Sequence, residues 1–162
     1  MKKLLVPMIC RILGIVIIAA VILSALVLTV PKIFGRSVYH VESGSMAPAI
    51  PVGSVIYVKA VEPETIQPGD IITYALGGST ITHRVVENRF VEGEMVTKGD
   101  ANEQEDIQLV PYANIVGKVS SHLPVLGKLL VVYSTGLGKF YVLLVAACGV
   151  LLLILSGMLK MY

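Results

Sequence analysis

Charged residues and cysteines are scarce in this chain, and each shortage argues against a class of function. Only 15% of its 162 residues are charged, and the net charge is +2 at pH 7. So small an excess, without a basic stripe interleaved with aromatic residues, argues against nucleic-acid binding. Cys10 and Cys148 lie in or beside the apolar ends, with no neighbouring Cys or His at metal-ligand spacing. We interpret both as small apolar side chains and expect no metal or other cofactor.

Hydrophobic residues are abundant instead, and they concentrate at the two ends of the chain. They make up 55% of the residues, and the mean hydropathy of +0.80 is too high for a wholly soluble protein of this length. Ile12–Val30 and Phe140–Leu159 contain no charge, whereas most charges lie within 32–128. As a helix, the shorter run extends roughly 28 Å, enough to cross a bilayer core of about 30 Å. The pattern predicts two transmembrane helices that flank a water-soluble domain.

The charges beside the first run predict its orientation. Lys2, Lys3 and Arg11 precede the run, and Lys32 and Arg36 follow it. This excess places the N-terminus in the cytoplasm, so both termini are cytoplasmic and the domain is extracytoplasmic at the cell membrane. A cleaved secretory signal is the alternative, but its apolar core is shorter, about 7–15 residues, and ends in a small-x-small site that this run lacks. The sequence therefore favours an uncleaved anchor.

The interval between the two runs has the pattern of short β-strands. Turn residues at Pro51-Val-Gly53, Gln67-Pro-Gly-Asp70 and Gly77-Gly78 separate segments rich in β-branched and aromatic residues. The predicted strands are Val55–Val61, Ile71–Ala75, Thr80–Val86, Met95–Lys98 and Ala113–Ser120. A turn near Met46–Ile50 is the one helical signal there. The predicted fold class is mainly β: a small antiparallel β domain flanked by N- and C-terminal transmembrane helices.

This interpretation divides the chain into an anchor, a β domain, an apolar segment and a second membrane helix. Their predicted bounds are 1–31, 32–122, 123–139 and 140–162. The apolar segment contains Lys128 and is too short to cross a bilayer. We expect it to rest on the membrane surface or to pack on the domain.

A serine-containing loop is the first candidate for chemistry. In Ser43-Gly-Ser-Met-Ala-Pro48, Ser45 follows a glycine and precedes a residue that can start a helical turn. Such a serine can expose its hydroxyl near unpaired backbone N–H groups, which are the donors that an oxyanion needs. A polar loop with capping serines is the simpler alternative.

A histidine inside a predicted strand is the second candidate. Strand alternation places Ile81, His83 and Val85 on the packed face, and Thr82 and Arg84 on the other. A buried neutral imidazole can activate a serine by taking its proton. A core histidine satisfied by one hydrogen bond is the alternative.

The third candidate is the acidic stretch Thr97–Asp106. Its oxygen-bearing side chains alternate as in a calcium loop, but Glu105 and Pro111 stand where that loop needs Gly and Glu. We therefore do not expect calcium binding. A carboxylate of this stretch can instead orient the imidazole and complete a serine–histidine–aspartate arrangement.

Together these stretches resemble the signal peptidase I family, in its endoplasmic-reticulum-like branch, where histidine replaces the lysine base of the ordinary bacterial enzymes. The resemblance spans about residues 38–126, with the family's boxes in the correct order. The matching stretches are Ser43–Ala49, Pro68–Ile72, His83-Arg84, and Thr97–Asp100 followed by Asp106. Ala101 departs from the pattern, because the branch usually carries asparagine there.

The resemblance implies a serine endopeptidase that removes signal peptides from exported preproteins after small residues. It assigns Ser45 as the nucleophile and His83 as the general base, with the Ser45 backbone N–H and the Ser43 hydroxyl as oxyanion donors. Asp106 is expected to orient the imidazole, and Asp100 is the second choice or a support of the loop. The implied partners are secretory preproteins and the lipid bilayer, and no cofactor is implied.

Two other functions stay open. One is a membrane-tethered β domain that only binds partners and is catalytically inactive. The other is a self-cleaving repressor or processing protease on a related fold, which would pair its serine with Lys59 or Lys98. The pairing of serine with histidine favours the signal peptidase interpretation.

Overall fold

The computed structural model describes residues 2–160; Met1, Met161 and Tyr162, which belong to the predicted membrane ends, lie outside the described residues. The described chain divides into a helical unit (2–30 with 131–160) and a β unit (31–130). The helices are α1 (Lys2–Ile33), α2 (Gly127–Ser134) and α3 (Gly136–Lys160). The strands are β1 (Arg36–His40), β2 (Val55–Lys59), β3 (Ile71–Leu76), β4 (Ser79–Arg89), β5 (Glu94–Lys98), β6 (Val110–Pro111) and β7 (Ile115–Leu123).

The two long helices confirm the predicted pair of membrane-spanning elements. The most apolar 18-residue windows of Leu5–Ile33 and Gly136–Lys160 have mean hydropathies of 3.0 and 2.8, and both helices are long enough to cross a bilayer. Their large apolar side chains face outward; Leu23 and Leu151, for example, are each 64% exposed. Such surfaces suit lipid rather than the core of a soluble protein. Both helices extend beyond the uncharged runs, because helical hydrogen bonding continues through flanking charged residues.

Within the helical unit, α1 and α3 pack closely where small residues face each other. A Cβ added to Gly14 would lie 2.8 Å from the carbonyl oxygen of Gly149, so the two backbones nearly touch there. The buried Ser156 hydroxyl donates a hydrogen bond of 2.8 Å to the carbonyl oxygen of Pro7. Small residues and interhelical hydroxyl bonds are the usual means of helix association in lipid.

The β unit is one antiparallel sheet in the order β1-β2-β7-β3-β4-β5-β6, which confirms the predicted fold class. Each predicted strand is present with shifted ends, and β4 is longer than expected. The chain between Gly44 and Ile50 forms the expected turn, in which Ile50 N–H donates to the Met46 carbonyl at 2.8 Å. The short strand β6 was not predicted, because Val110–Pro111 carries too little pattern to be recognised.

The sheet core consists of two clusters that hold the site-bearing segments in place. One cluster is formed by Ile66, Ile72, Tyr74, Val85, Met95 and Val110. The other is formed by Met46, Ile50, Ile56 and Val58. The first includes Val85 and so holds the interior strand β4, and the second includes Met46 and Ile50 and so anchors the turn that follows Gly44.

Strand alternation in β4 agrees with the prediction only up to Val85. His83 and Val85 are buried, but the pairing with β5 shifts between Val85 and Glu87, so Asn88 is buried next. The opposite face is also covered, because Thr82 bonds to Thr73 of the neighbouring strand at 2.9 Å. A bulge of this kind breaks the two-residue period, which sequence alternation alone does not reveal.

We expect the first core cluster to be sensitive to loss of volume. Val110 is 0% exposed, whereas Val91 is 96% exposed. Val110→Ala should lower the free energy of unfolding by about 2 kcal/mol, because it removes buried methyl groups and leaves a cavity. Urea unfolding of the detergent-solubilised protein measures this, with Val91→Ala as the matched control. Equal effects of the two substitutions would contradict the assigned core.

Candidate active site

Ser45 lies in a turn that two buried residues hold against the sheet. Met46 and Ile50 are 2% and 1% exposed, and they anchor the turn that carries Ser45. Just after β1, Val41 N–H donates to the carbonyl oxygen of Ser54 at 2.9 Å and so links the start of this segment to the residue before β2. Ser45 itself is half-buried, and its hydroxyl oxygen lies 3.4 Å from that of Ser43. The two serines predicted as nucleophile and oxyanion donor therefore stand side by side.

His83 lies in β4 with its imidazole fixed from one side. The residue is 9% exposed, and its Nδ1 lies 2.5 Å from Oδ2 of Asp106. The ring also meets Tyr74 edge-on, with 6.4 Å between ring centroids and 72° between planes. Because Nδ1 is occupied, Nε2 is the ring nitrogen left to exchange a proton with another group.

The carboxylate of Asp106 accepts hydrogen bonds from other side chains besides His83. Its Oδ2 accepts hydrogen bonds from the Thr97 hydroxyl at 2.7 Å and from the Tyr74 hydroxyl at 3.3 Å. Its backbone N–H donates to the Thr97 carbonyl at 2.8 Å. These bonds place the carboxylate oxygen at one point beside the imidazole and make a rotation toward solvent costly.

Tyr74 remains a donor to this network over the whole physiological range. Burial, together with the nearby charge and hydrogen bonding of Asp106, raises the pKa of Tyr74 to about 12, although the bond to Thr97 opposes the shift. The phenol therefore keeps its proton and offers it to the carboxylate.

Asp100 contacts a different partner from Asp106. Its two carboxylate oxygens accept from Nε and Nη2 of Arg84 at 2.8 and 2.6 Å, a bidentate pair. Hydrogen bonding to Asp100 raises the pKa of Arg84, against the opposing effect of burial. Arg84 Nη1 also donates to the carbonyl oxygen of Gly69 at 2.7 Å. Among the described residues, this pair ties the acidic loop to the turn before β3.

That turn is itself held by an ion pair. Lys118 Nζ lies 2.6 Å from Oδ1 of Asp70, whose other oxygen accepts from the Gln67 backbone N–H at 3.0 Å. Burial raises the pKa of Asp70, but the hydrogen bonds from Lys118 and Gln67 and the lysine charge outweigh it, so the pKa lies below its ordinary value. The carboxylate stays charged at neutral pH and keeps the turn closed.

The acidic loop also holds the backbone of the turn that carries Ser45, named the nucleophile turn here because Ser45 is the predicted nucleophile. Ala101 N–H donates to the carbonyl oxygen of Ser45 at 2.8 Å. A Cβ added to Gly99 would lie 2.7 Å from the same oxygen, so only glycine fits at this approach. This contact does not depend on the side chain at position 101, where the sequence departs from the resembled pattern.

Ser45 and His83 line one cavity of about 690 Å³. Its other walls include Tyr39, Val41, Ile56 and Asn102. Within residues 2–160, no hydrogen bond joins Ser45 to His83. Catalytic hydrogen bonds are often loose without substrate and tighten in the substrate complex, so the separation is compatible with a shared reaction.

The two lysines of the serine–lysine alternative and the other two histidines of the chain occupy different positions. Lys59 and Lys98, the bases of the serine–lysine alternative, are not among the residues that line the Ser45 cavity in the described chain. His122 is exposed near the end of β7. His40 lines the cavity, and its Nδ1 lies 3.7 Å from Oε1 of Glu42. No cluster of three or more metal-ligating side chains occurs within the described range.

Several known proteins have sequences similar to this chain. The chain is 36% identical over 89 residues to signal peptidase I W of Bacillus subtilis, and this match covers 52% of the chain and 47% of that protein. It is 34% identical over 107 residues to the signal peptidase complex catalytic subunit SEC11 of Ogataea parapolymorpha, and this match covers 52% of the chain and 60% of that protein. The chain is 29% identical over 124 residues to the signal peptidase complex catalytic subunit SEC11C of Rattus norvegicus, and this match covers 69% of the chain and 64% of that protein. Its curated homologues are signal peptidases.

This homology confirms the resemblance that the sequence motifs suggested. No family model matches the chain. The chain spans from about half to just under two thirds of the length of these three signal peptidases.

Two residues of the site were missed by the sequence interpretation. Tyr74 and Thr97 both bond to Asp106, yet neither was considered a functional residue. The position of Tyr74 could have been inferred from the sequence. In a hairpin that turns at Gly77-Gly78, Tyr74 pairs with Ile81, and this pairing places Tyr74 diagonally across from His83 on the neighbouring strand. Thr97 gave no such signal, since its contact depends on how the following loop folds.

The close approach of Gly99 to Ser45 leads to a test. Gly99→Ala should lower the kcat of any peptide cleavage that uses the Ser45 hydroxyl about tenfold or more, because the added methyl group displaces the Ser45 carbonyl and with it the hydroxyl. Kinetics on a peptide with a signal-peptide cleavage site measure this, alongside thermal unfolding to establish that the variant folds. Gly136→Ala is the control, since nothing lies within 4 Å of its added Cβ. A folded Gly99 variant with unchanged kcat would contradict the proposed contact.

Proposed function

We propose that this protein is a membrane-bound serine endopeptidase that cleaves signal peptides from exported preproteins after small residues. The observation that carries the proposal is the shared cavity of Ser45 and His83, with the imidazole anchored through Nδ1 on Asp106. The homology to proteins named signal peptidase supplies the substrate class.

In the proposed reaction, the imidazole is the base and the serine is the nucleophile. The hydrogen bond to Asp106 keeps the proton on Nδ1, which leaves Nε2 basic. Nε2 takes the proton of Ser45 as its oxygen attacks the scissile carbonyl. The protonated ring then gives this proton to the leaving amine, and water hydrolyses the acyl-enzyme through the same base.

The oxyanion has donors in the nucleophile turn. Within the described chain, the Ser45 backbone N–H donates no hydrogen bond, so it is free to bind developing negative charge. The Ser43 hydroxyl, 3.4 Å from that of Ser45, is the proposed second donor. Asp100 is proposed to act through Arg84 and the loop rather than on the imidazole.

The substrate is proposed to bind as an added strand. β1 is an edge of the sheet, with one side unpaired within the β unit. Residues of β1 and β4 line the Ser45 cavity together, so a peptide lying there can bond to strand backbone. Met46, Ile50 and Ile56 give the cavity apolar walls. We propose that these form shallow pockets for small residues before the cut.

The proposed location is the cell membrane, with the β unit on the extracytoplasmic side and both termini in the cytoplasm. The excess of Lys2, Lys3 and Arg11 over Lys32 and Arg36 supports this orientation. A signal peptide in the same bilayer would then present its cleavage point on the side of the β unit.

Substitution of the proposed catalytic residues tests the function. In detergent, Ser45→Ala, His83→Ala and Asp106→Asn should each reduce cleavage of an Ala-x-Ala peptide by about 100-fold or more. His83→Lys should also lose most activity, because the loop is built to orient an imidazole. Ser121→Ala and His122→Ala are matched controls on the exposed part of β7 and should cleave normally.

Either of two results would refute this mechanism. Full cleavage by Ser45→Ala would leave only a binding role for the site. Retained activity in His83→Lys together with loss in Lys59→Ala or Lys98→Ala would favour the serine–lysine alternative.

Cysteine labelling tests the orientation. In a Cys10→Ala, Cys148→Ala background, Val91→Cys should react with a membrane-impermeant maleimide in intact cells, because Val91 is 96% exposed on the β unit. Lys3→Cys should react only after the membrane is permeabilised. The reverse pattern would overturn the proposed topology.

A further inference from the structure

A second cleft adjoins the Ser45 cavity. It has a volume of about 600 Å³ and shares Ile81, His83 and Asn102 with that cavity. One wall is the face of the β3–β4 hairpin that carries Tyr74 and Leu76, and the other is the loop 102–108. The imidazole of His83 is therefore common to both spaces.

The chemistry of the proposed reaction indicates which part of the substrate lies in this cleft. The protonated imidazole must deliver its proton to the amine that leaves, so the first residue after the cut has to lie against His83. The strand edge of β1 and the pockets before the cut belong to the Ser45 cavity. A space that begins at His83 and contains no part of the nucleophile turn is where the chain after the cut can continue.

The walls of the cleft combine apolar surface with unpaired negative charge. Leu76 and Ile81 form an apolar floor, and the side chain of Ile107 is 100% exposed at the rim. Glu103 and Glu105 line the same cleft, are exposed, and take part in no ion pair within residues 2–160. No lysine or arginine is among the described lining residues.

A lysine or arginine side chain matches both features at once. Its aliphatic stem covers apolar surface while its charged head stays near water and carboxylates. The charge of Asp106 adds to the negative field, although its oxygen already bonds to His83. An acidic side chain in this cleft would meet only like charge.

We propose that this cleft binds the residues that follow the cleavage point and selects a lysine or arginine among the first three of them. The inference rests on the proposed signal peptidase function and extends it to the mature end of the substrate. Glu103 and Glu105 supply the selection, and the apolar floor supplies the contact with the stem.

Peptides with one Ala-x-Ala site test this assignment. They carry Lys, Ser or Glu at the first, second or third position after the cut, and a further set carries Lys two positions before it. The wild-type ratio of kcat/KM for Lys over Ser should be about threefold to tenfold at one of the positions after the cut. The ratio should fall as ionic strength rises, because exposed charges are screened. In Glu103→Gln/Glu105→Gln it should fall toward one.

The control is Glu62→Gln/Glu64→Gln, which removes the same charge from exposed positions outside the cleft and should keep the wild-type ratio. A flat ratio at all three positions, or a preference that the Glu103/Glu105 variant retains, would overturn the inference. A lysine preference found only before the cut would also overturn it. If wild type cleaves none of the peptides, or if cleavage does not need Ser45, the proposed function fails instead.

Discussion

The hydrogen bond between His83 Nδ1 and Asp106 joins a strand inside the sheet to the loop that follows β5. The carboxylate is only partly exposed and also accepts from Thr97 and Tyr74. Leaving such a group without partners is costly. The contact with the imidazole therefore stabilises the observed position of the loop. The hydrogen bond therefore fixes the loop and the ring relative to each other, and His83 lines both cavities beside it.

The same loop connects His83, the proposed base, to Ser45, the proposed nucleophile. Residues 83 and 84 point to opposite faces of β4, yet both are bound by carboxylates of the loop. Between those carboxylates, Ala101 N–H holds the carbonyl oxygen of Ser45. A chain segment of a few residues thus fixes the positions of the serine turn, the imidazole and the guanidinium relative to one another. This explains how a small domain can hold reactive groups from distant parts of the sequence.

The helical unit is organised on different principles. Its outward surface is apolar, and its internal contacts use Gly14, Gly149 and the Ser156 hydroxyl. Contacts of this kind do not depend on expulsion of water, which suits an element that lies in lipid. The β unit instead relies on a buried apolar core with charged loops around it. Each unit is stabilised by the interactions that its own solvent allows.

Hydrophobic runs and strand patterns were enough to predict the two apolar helices and the antiparallel strands. Local motifs pointed to Ser45 and His83, and their resemblance to a known family added Asp106 and Asp100. The sequence left open which aspartate meets the imidazole, because both lie in one loop whose path no local pattern specifies. Only the tertiary structure paired Asp106 with His83 and Asp100 with Arg84, and only it brought Thr97 and Tyr74 to the carboxylate. The reason is physical: these bonds depend on the register of β3 with β4 and on how the loop packs against them, which are long-range properties of the folded chain.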